Sequence, residues 1–190
     1  MNKQIYRLII AAAFVLSATA SIVNSALIEE VEIKGNVNVS DKEIANVISA
    51  EVGQEFKSSV LSEDISAIFG MGKFEDVAVF TEEISTDSVK VIYEVAEKPV
   101  ISKIIFKGNE NIKSKKLAKE LEASQKDFFD ESTLKSDRKK IEQYYLDKGY
   151  VRCTVEAYSN QVNQDEVEIT YFIEEGNKIT IAGIKLIGVA

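Results

Sequence analysis

The side chains that most often carry out chemistry are nearly missing from this chain. It contains no histidine and one cysteine, Cys153. Without histidine there is no ordinary general base, no imidazole metal ligand and no switch near neutral pH. Cys153 sits in Val151-Arg152-Cys153-Thr154-Val155, where alternation puts Val151, Cys153, Val155 and Ala157 on one face of a strand. That pattern describes a small buried hydrophobe rather than a nucleophile, and a single cysteine forms no intramolecular disulfide. The sequence has no Gly-x-Ser-x-Gly elbow, no phosphate loop and no metal-spaced ligand cluster. Acid–base chemistry would fall to the 31 carboxylates, and nothing in the sequence places a pair of them in a pocket. Asp64 and the Glu82-Glu83 pair read as solvated. The expectation is a protein that binds rather than catalyses, with no cofactor and no metal.

Charge narrows what it binds. The formal charge is −8, and it falls further if the leader carrying Lys3 and Arg7 is removed. An acidic chain argues against nucleic acid, whose phosphates need Lys and Arg to displace counterions, and against anionic lipid. The local exception is Lys113, Lys115, Lys116 and Lys119, which read as a solvated basic helix surface.

The elements that position everything else come in repeats. Residues 28–36 (IEEVEIKGN), 101–109 (ISKIIFKGN) and 181–188 (IAGIKLIG) share apolar-x-x-apolar-x-apolar-x-Gly, closing on Gly35, Gly108 and Gly188. The spacing exceeds the roughly 20–50 residues of a solenoid repeat and suits a duplicated small domain. Ahead of the first copy, residues 1–25 have the layout of a secretory signal peptide: basic Lys3 and Arg7, an apolar Leu8 to Ala20, and small residues before Ala26. The expected organisation is a signal peptide over 1–25, modules over 26–98 and 99–176, and the first strand of a truncated third module over 177–190.

Each module follows one order. In the first, Ile28 to Lys34 alternates as a strand, Gly35-Asn36 turns, and Ser40-Asp41-Lys42-Glu43 is a capping box. It opens a helix expected to carry Ile44, Val47 and Ile48 and to end near Gly53. A second helix from about Ser58 has Leu61, Ile65, Ile68 and Phe69 at helical spacing. Val77 to Thr81 and Val89 to Val95 alternate as strands. In the second module Ile101 to Lys107 is the strand and Ser114 the expected cap of a helix bearing Leu117 and Leu121. A longer helix starts near Glu131, and Val151 to Ala157 and Val167 to Ile173 close the module. The result is an α+β fold of two β-α-α-β-β modules, each a three-stranded sheet packed on two helices. Lys98 and Pro99, the only proline, form a short inter-module joint made semi-rigid by the fixed φ of proline.

This order, the Gly-Asn after each first strand, the stretch Phe69-Gly70-Met71-Gly72-Lys73-Phe74-Glu75-Asp76-Val77 and its counterpart Tyr145 to Val151 resemble POTRA domains. The tandem behind a signal peptide is similar to the N-terminus of the outer-membrane β-barrel assembly factors. That resemblance implies a periplasmic arm that receives unfolded outer-membrane proteins and docks assembly-complex lipoproteins, attached to its own C-terminal barrel, which these residues lack. It leaves open the POTRA region of a two-partner secretion transporter, or a division-type POTRA scaffold. It also implies that the second strand of each module lies at a sheet edge and accepts an added strand by β-augmentation. The candidate edge residues are Val77, Ala78, Val79, Phe80, Thr81 and Glu82, and Val151, Arg152, Cys153, Thr154, Val155 and Glu156. Ile65 and Phe69, or Ile141 and Tyr145, are either core or groove wall beside those edges. Phe80 and Phe172 point away from their cores and are candidate exposed aromatics for an interface.

The apolar stretch from Ile179 to Val189 is an aggregation hazard when it has no sheet to join. Deleting residues 177–190 is expected to leave both modules folded by circular dichroism and to reduce self-association.

Overall fold

The computed structural model describes residues 26–180, with Gly183 and Gly188. The signal-peptide reading and the third-copy strand starting at Ile181 lie outside the described residues. The chain divides into two compact units, each containing one three-stranded sheet.

The first module runs β1 (Leu27–Lys34), α1 (Asp41–Ala45), α2 (Ser58–Gly70), β2 (Phe74–Ser85) and β3 (Ser88–Glu97). The sheet order is β1-β3-β2. β1 pairs parallel to β3, from Leu27 opposite Ser88 to Lys34 opposite Glu94, with an irregularity between Ile28 and Glu30. Parallel neighbours need a long crossover, and the two helices provide it. The second module repeats the plan with β4 (Val100–Lys107), α3 (Ser114–Leu117), α4 (Glu131–Asp147), β5 (Thr154–Gln161) and β6 (Glu166–Glu174). Its order is β4-β6-β5, with β4 parallel and β5 antiparallel to β6.

The alternation in the central strands sets the core. Val91, Tyr93 and Val95 are buried on one face of β3, as are Val167, Ile169, Tyr171 and Ile173 on β6. Against them the helices present Ile44, Leu61 and Ile68 in the first module and Leu117, Leu134 and Ile141 in the second. Each such side chain contributes on the order of 1.5–3 kcal/mol by leaving water.

Three local expectations are corrected. The first helix of module one stops at Ala45, well short of Gly53. Its capping box forms, with Ser40 and Glu43 each accepting from the other's backbone N–H. The chain then leaves the helix because Asp64, on α2, offers its backbone a different partner: Ser49 and Ala50 donate their N–H groups to it at 2.6 and 3.1 Å. Ser114 is the first residue of α3 rather than its cap. Lys113 holds the cap position without a side-chain bond, while the Ser114 hydroxyl is used by the Asn109 amide at 3.0 Å. Finally, β5 begins at Thr154, three residues later than expected. Gly149 turns the chain at φ 91°, Tyr150 is buried edge-on against Tyr145 with centroids 5.6 Å apart, and the Cys153 N–H returns to the Tyr150 carbonyl at 3.2 Å. Val151, Arg152 and Cys153 therefore form a turn ahead of the strand.

Asp64 is also not solvated. It is 1% exposed and takes a third hydrogen bond from the Tyr93 hydroxyl at 2.5 Å. Burial, then the hydrogen bond to Asp64 and its charge, pushes the Tyr93 hydroxyl well above the usual phenol range. Asp137 repeats the arrangement on α4, buried and accepting from the N–H groups of Glu122 and Ala123 at 2.8 and 3.0 Å. Here the third partner is the Lys140 ammonium, 3.6 Å from Asp137 Oδ1, rather than a tyrosine. The buried Tyr171 hydroxyl, in the place of Tyr93, has no hydrogen-bond partner among the described residues.

A second carboxylate in each module ties the end of the central strand to the turn after the first strand. Glu97 accepts from the backbone N–H groups of Val37, Asn38 and Val39. Glu175 accepts from those of Asn111 and Ile112 and from the Tyr145 hydroxyl at 2.8 Å. Burial opposes the charge on each, but these donors outweigh it, and both carboxyls lie below the usual range. The turn itself requires glycine. Gly35 and Gly108 have φ 89° and 82°, and a Cβ on either would run into the Val95 or Ile173 carbonyl oxygen.

Two outcomes follow from these carboxylates. Tyr93→Phe should lose about 1–2 kcal/mol in urea unfolding, whereas Tyr171→Phe should be neutral or stabilising, because it removes a buried group that has no partner. Glu97 and Glu175 have lowered folded pKa values, so their stabilisation is present above the unfolded value near 4.3 and is lost as pH falls through the folded ones. Urea titrations at successive pH values should show stability dropping below about pH 4, with a shallower drop in Glu175→Gln.

Candidate functional site

A three-stranded sheet has two edges, and the modules treat them differently. In module one, the segment after α1 runs antiparallel along the start of β1. Gly53 donates to the Ile28 carbonyl at 2.7 Å, Ile28 to Gln54 at 2.8 Å and Phe56 to Ala26 at 2.8 Å. In module two, Lys126 donates to Ile101, Ile101 to Asp127 and Phe129 to Pro99, each at 2.8 Å. The start of the β1 or β4 edge is thus already strapped by the module's own chain. β2 and β5 have a neighbour in the sheet on one side only, β3 and β6 respectively.

The predicted edge residues distribute as follows. In β2, Val77 is buried, Ala78 and Val79 are half-buried, and Phe80, Thr81 and Glu82 are exposed. The strand continues to Ser85, with Ile84 46% exposed. In module two, Thr154 and Glu156 are exposed and Val155 is buried within β5, while Val151 and Arg152 are exposed in the preceding turn. Lys98 and Pro99 are the two residues between β3 and β4. The Lys98 N–H donates to the Lys73 carbonyl at 2.9 Å, and the Pro99 carbonyl accepts from Phe129.

The direction of the β5 backbone groups follows from its pairing. Val162 donates to Glu166 at 2.9 Å to close the hairpin, and the register places Tyr158 opposite Thr170 and Glu156 opposite Phe172. Antiparallel ladders alternate, so Thr154, Glu156, Tyr158 and Asn160 bond to β6. Val155, Ala157, Ser159 and Gln161 turn their N–H and C=O groups outward. At Val155 both groups are engaged by α4. The N–H donates to Glu142 Oε1 at 3.3 Å, and the carbonyl accepts from Arg138 Nη1 at 3.3 Å. Arg138 and Glu142 are themselves paired at 2.9 Å.

The helix residues proposed as core or groove wall divide. Ile141 and Tyr145 are fully buried core, whereas Ile65 is half-buried and Phe69 is 41% exposed. Beside β5, Glu142, Leu146, Tyr150, Val151 and Cys153 line an open depression between α4 and the turn. Burial, helped by the charges of Glu142 and Glu175, pushes the Cys153 thiol up to about 11. The thiol is therefore protonated near neutral pH and a poor nucleophile. On the outer face of the second sheet Phe172, 42% exposed, meets Tyr158 edge-on at 5.8 Å and lies under the Lys107 ammonium at 5.0 Å. Phe80 is similarly 43% exposed. Among the described residues no three of His, Cys, Asp and Glu gather as metal ligands.

Sequence reasoning missed Arg138, Glu142, Tyr158 and Ser159, while Ala157 falls inside the strand expected over Val151 to Ala157. The four-residue spacing of Arg138 and Glu142 was readable as a helical ion pair, but not its contact with a strand whose start was misplaced. Tyr158 lies one residue past the expected strand end.

Comparison with known proteins adds the following. The POTRA family model, described as "Surface antigen variable number repeat", matches residues 26–98 and 99–176. An outer membrane protein assembly factor BamA of Buchnera aphidicola is 28% identical over 173 residues, covering 87% of this chain and 27% of that protein. The BamA of Neisseria meningitidis is 22% identical over 164 residues, covering 85% and 20%. The chain thus spans about a quarter or less of the length of these relatives. The solved N-terminal domain of Omp85 from Thermosynechococcus elongatus aligns with TM-score 0.56 and 26% identity, covering 80% of this chain and 63% of that one.

Proposed function

The chain belongs to the POTRA family, and on that premise we propose that it is the periplasmic arm of an outer-membrane protein assembly factor, binding unfolded β-barrel clients and accessory lipoproteins by strand addition. The observation that carries this reading is the asymmetry of the sheet edges. Both modules cover the start of one edge with their own backbone and have β2 or β5 at the other. An edge strand pairs through backbone groups that every client shares, which suits a receptor for many sequences. Side chains beside the edge, Phe69 and Phe80 in module one and Tyr158 and Phe172 in module two, give alternate apolar residues of an added strand somewhere to rest. The similarity to BamA and Omp85 proteins supports the setting. Insertion of clients into the membrane belongs to a barrel, and the two modules supply the receiving surface. Export by cleavage of residues 1–25 fits the same setting.

The test is a fluorescent peptide of alternating apolar residues taken from an outer-membrane strand, titrated against the chain beside the same peptide N-methylated at every second amide. Strand addition predicts that N-methylation on the pairing side weakens binding at least about tenfold, since several hydrogen bonds are lost. Equal binding by both peptides would mean that side chains alone hold the client.

A further inference from the structure

The modules share a plan but not an edge. Asp64 corresponds to Asp137, since each accepts from the backbone N–H groups 15 and 14 residues before it. Leu61 and Ile68 then correspond to the equally buried Leu134 and Ile141. On that alignment Arg138 and Glu142 stand where module one has Ile65 and Phe69, side chains with no hydrogen-bonding group. Only in module two, then, can these helix positions grip the neighbouring strand.

From the contacts at Val155 we infer that Arg138 and Glu142 are an edge guard, which confines strand addition on module two to Ala157, Ser159 and Gln161. Val155 is the first outward-facing residue of β5, and its N–H and C=O are the pair an incoming strand would need at that end. Both are held from the helix, by the carboxylate and the guanidinium of one ion pair. Glu142 also lines the depression that continues past Val155 to Leu146, Val151 and Cys153. While the pair is closed, an extended segment can lie along the outer half of β5 but cannot run back into that depression with its backbone paired. The occupant is an extended client segment with alternating apolar side chains. Ala157 brings only a methyl group, packed against the core, and Tyr158 with Phe172 offers an apolar surface on the outer face. The guard therefore sets both register and length of pairing: a short rung set on module two, with no such limit imposed by Ile65 and Phe69 on module one. This inference rests on the strand-addition reading.

Amide exchange followed by NMR on the full chain, with and without the alternating apolar peptide, tests it. In the wild type the peptide should slow exchange at Ala157 and Ser159 and leave Val155 unchanged. In Arg138→Ile/Glu142→Phe, which installs the module-one residues, the Val155 amide should exchange faster alone, become protected by the peptide, and be accompanied by about two- to tenfold tighter binding, the value of one added hydrogen-bonded pair. Glu142→Ala should move both readouts the same way, and it replaces the double variant if circular dichroism shows that one unfolded. Peptide protection of Val155 in the wild type, or unchanged affinity and Val155 exchange in the variants, would overturn the guard while leaving strand addition standing. Failure of the peptide to slow any outward amide of β2 or β5 in the wild type would remove strand addition, and the guard with it.

Discussion

The arrangement of each module depends on one buried carboxylate. Asp64 and Asp137 sit on the core side of the long helix, where an uncompensated charge would be very costly. Tyr93 donates to the first and Lys140 pairs with the second, and each accepts from two backbone N–H groups of the segment that follows the short helix. That bond ends the short helix, points the chain toward the first strand, and delivers the strap that pairs with Ile28 or Ile101. The strap covers the start of one sheet edge, so that β2 or β5 is the edge with no such backbone cover from this segment. Though buried, the carboxylate thus determines which sheet edge the chain covers.

The modules are therefore alike in skeleton and unlike in finish. Module one completes the Asp64 network with Tyr93, and module two leaves the Tyr171 hydroxyl without a hydrogen-bond partner among the described residues while using Tyr145, one turn further along a longer helix, to reach Glu175. The helix face turned to the edge is apolar in one and ionic in the other. Duplication preserved the glycine turns, the two carboxylates and the apolar periodicity, which the fold demands. The groups around the edge differ between the modules, Ile65 and Phe69 standing where module two has Arg138 and Glu142.

What could be read from the sequence divides along the same line. The order of elements, the central strands and the long helices were legible because period-2 and period-3.6 patterns record burial directly, as in Val91-Tyr93-Val95 and Leu134-Ile141. The resemblance to POTRA domains was legible because glycines at turns and repeat order survive divergence. Long-range polar contacts were not. An Asp in a helix looks solvated whether it faces water or, like Asp64, the backbone of a segment 15 residues away. The start of β5 was misplaced because Val151, Cys153 and Val155 alternate as a strand would, and only Tyr150 settling beside Tyr145 shows that the first two are in a turn. The guard escaped for the same reason, since an Arg and a Glu four apart are commonplace on a helix surface.

The parallel pairing of the first strand with the last also governs when a module can form. Leu27 lies opposite Ser88 and Val100 opposite Glu166, so the first strand must wait for about sixty residues of chain before its partner exists. Contacts of such long sequence separation close slowly. The strap needs only the chain as far as Phe56 or Phe129, whereas the sheet and the Glu97 or Glu175 tie need the last strand. The β2 or β5 edge, paired only to β3 or β6, therefore exists only once that last strand is in place.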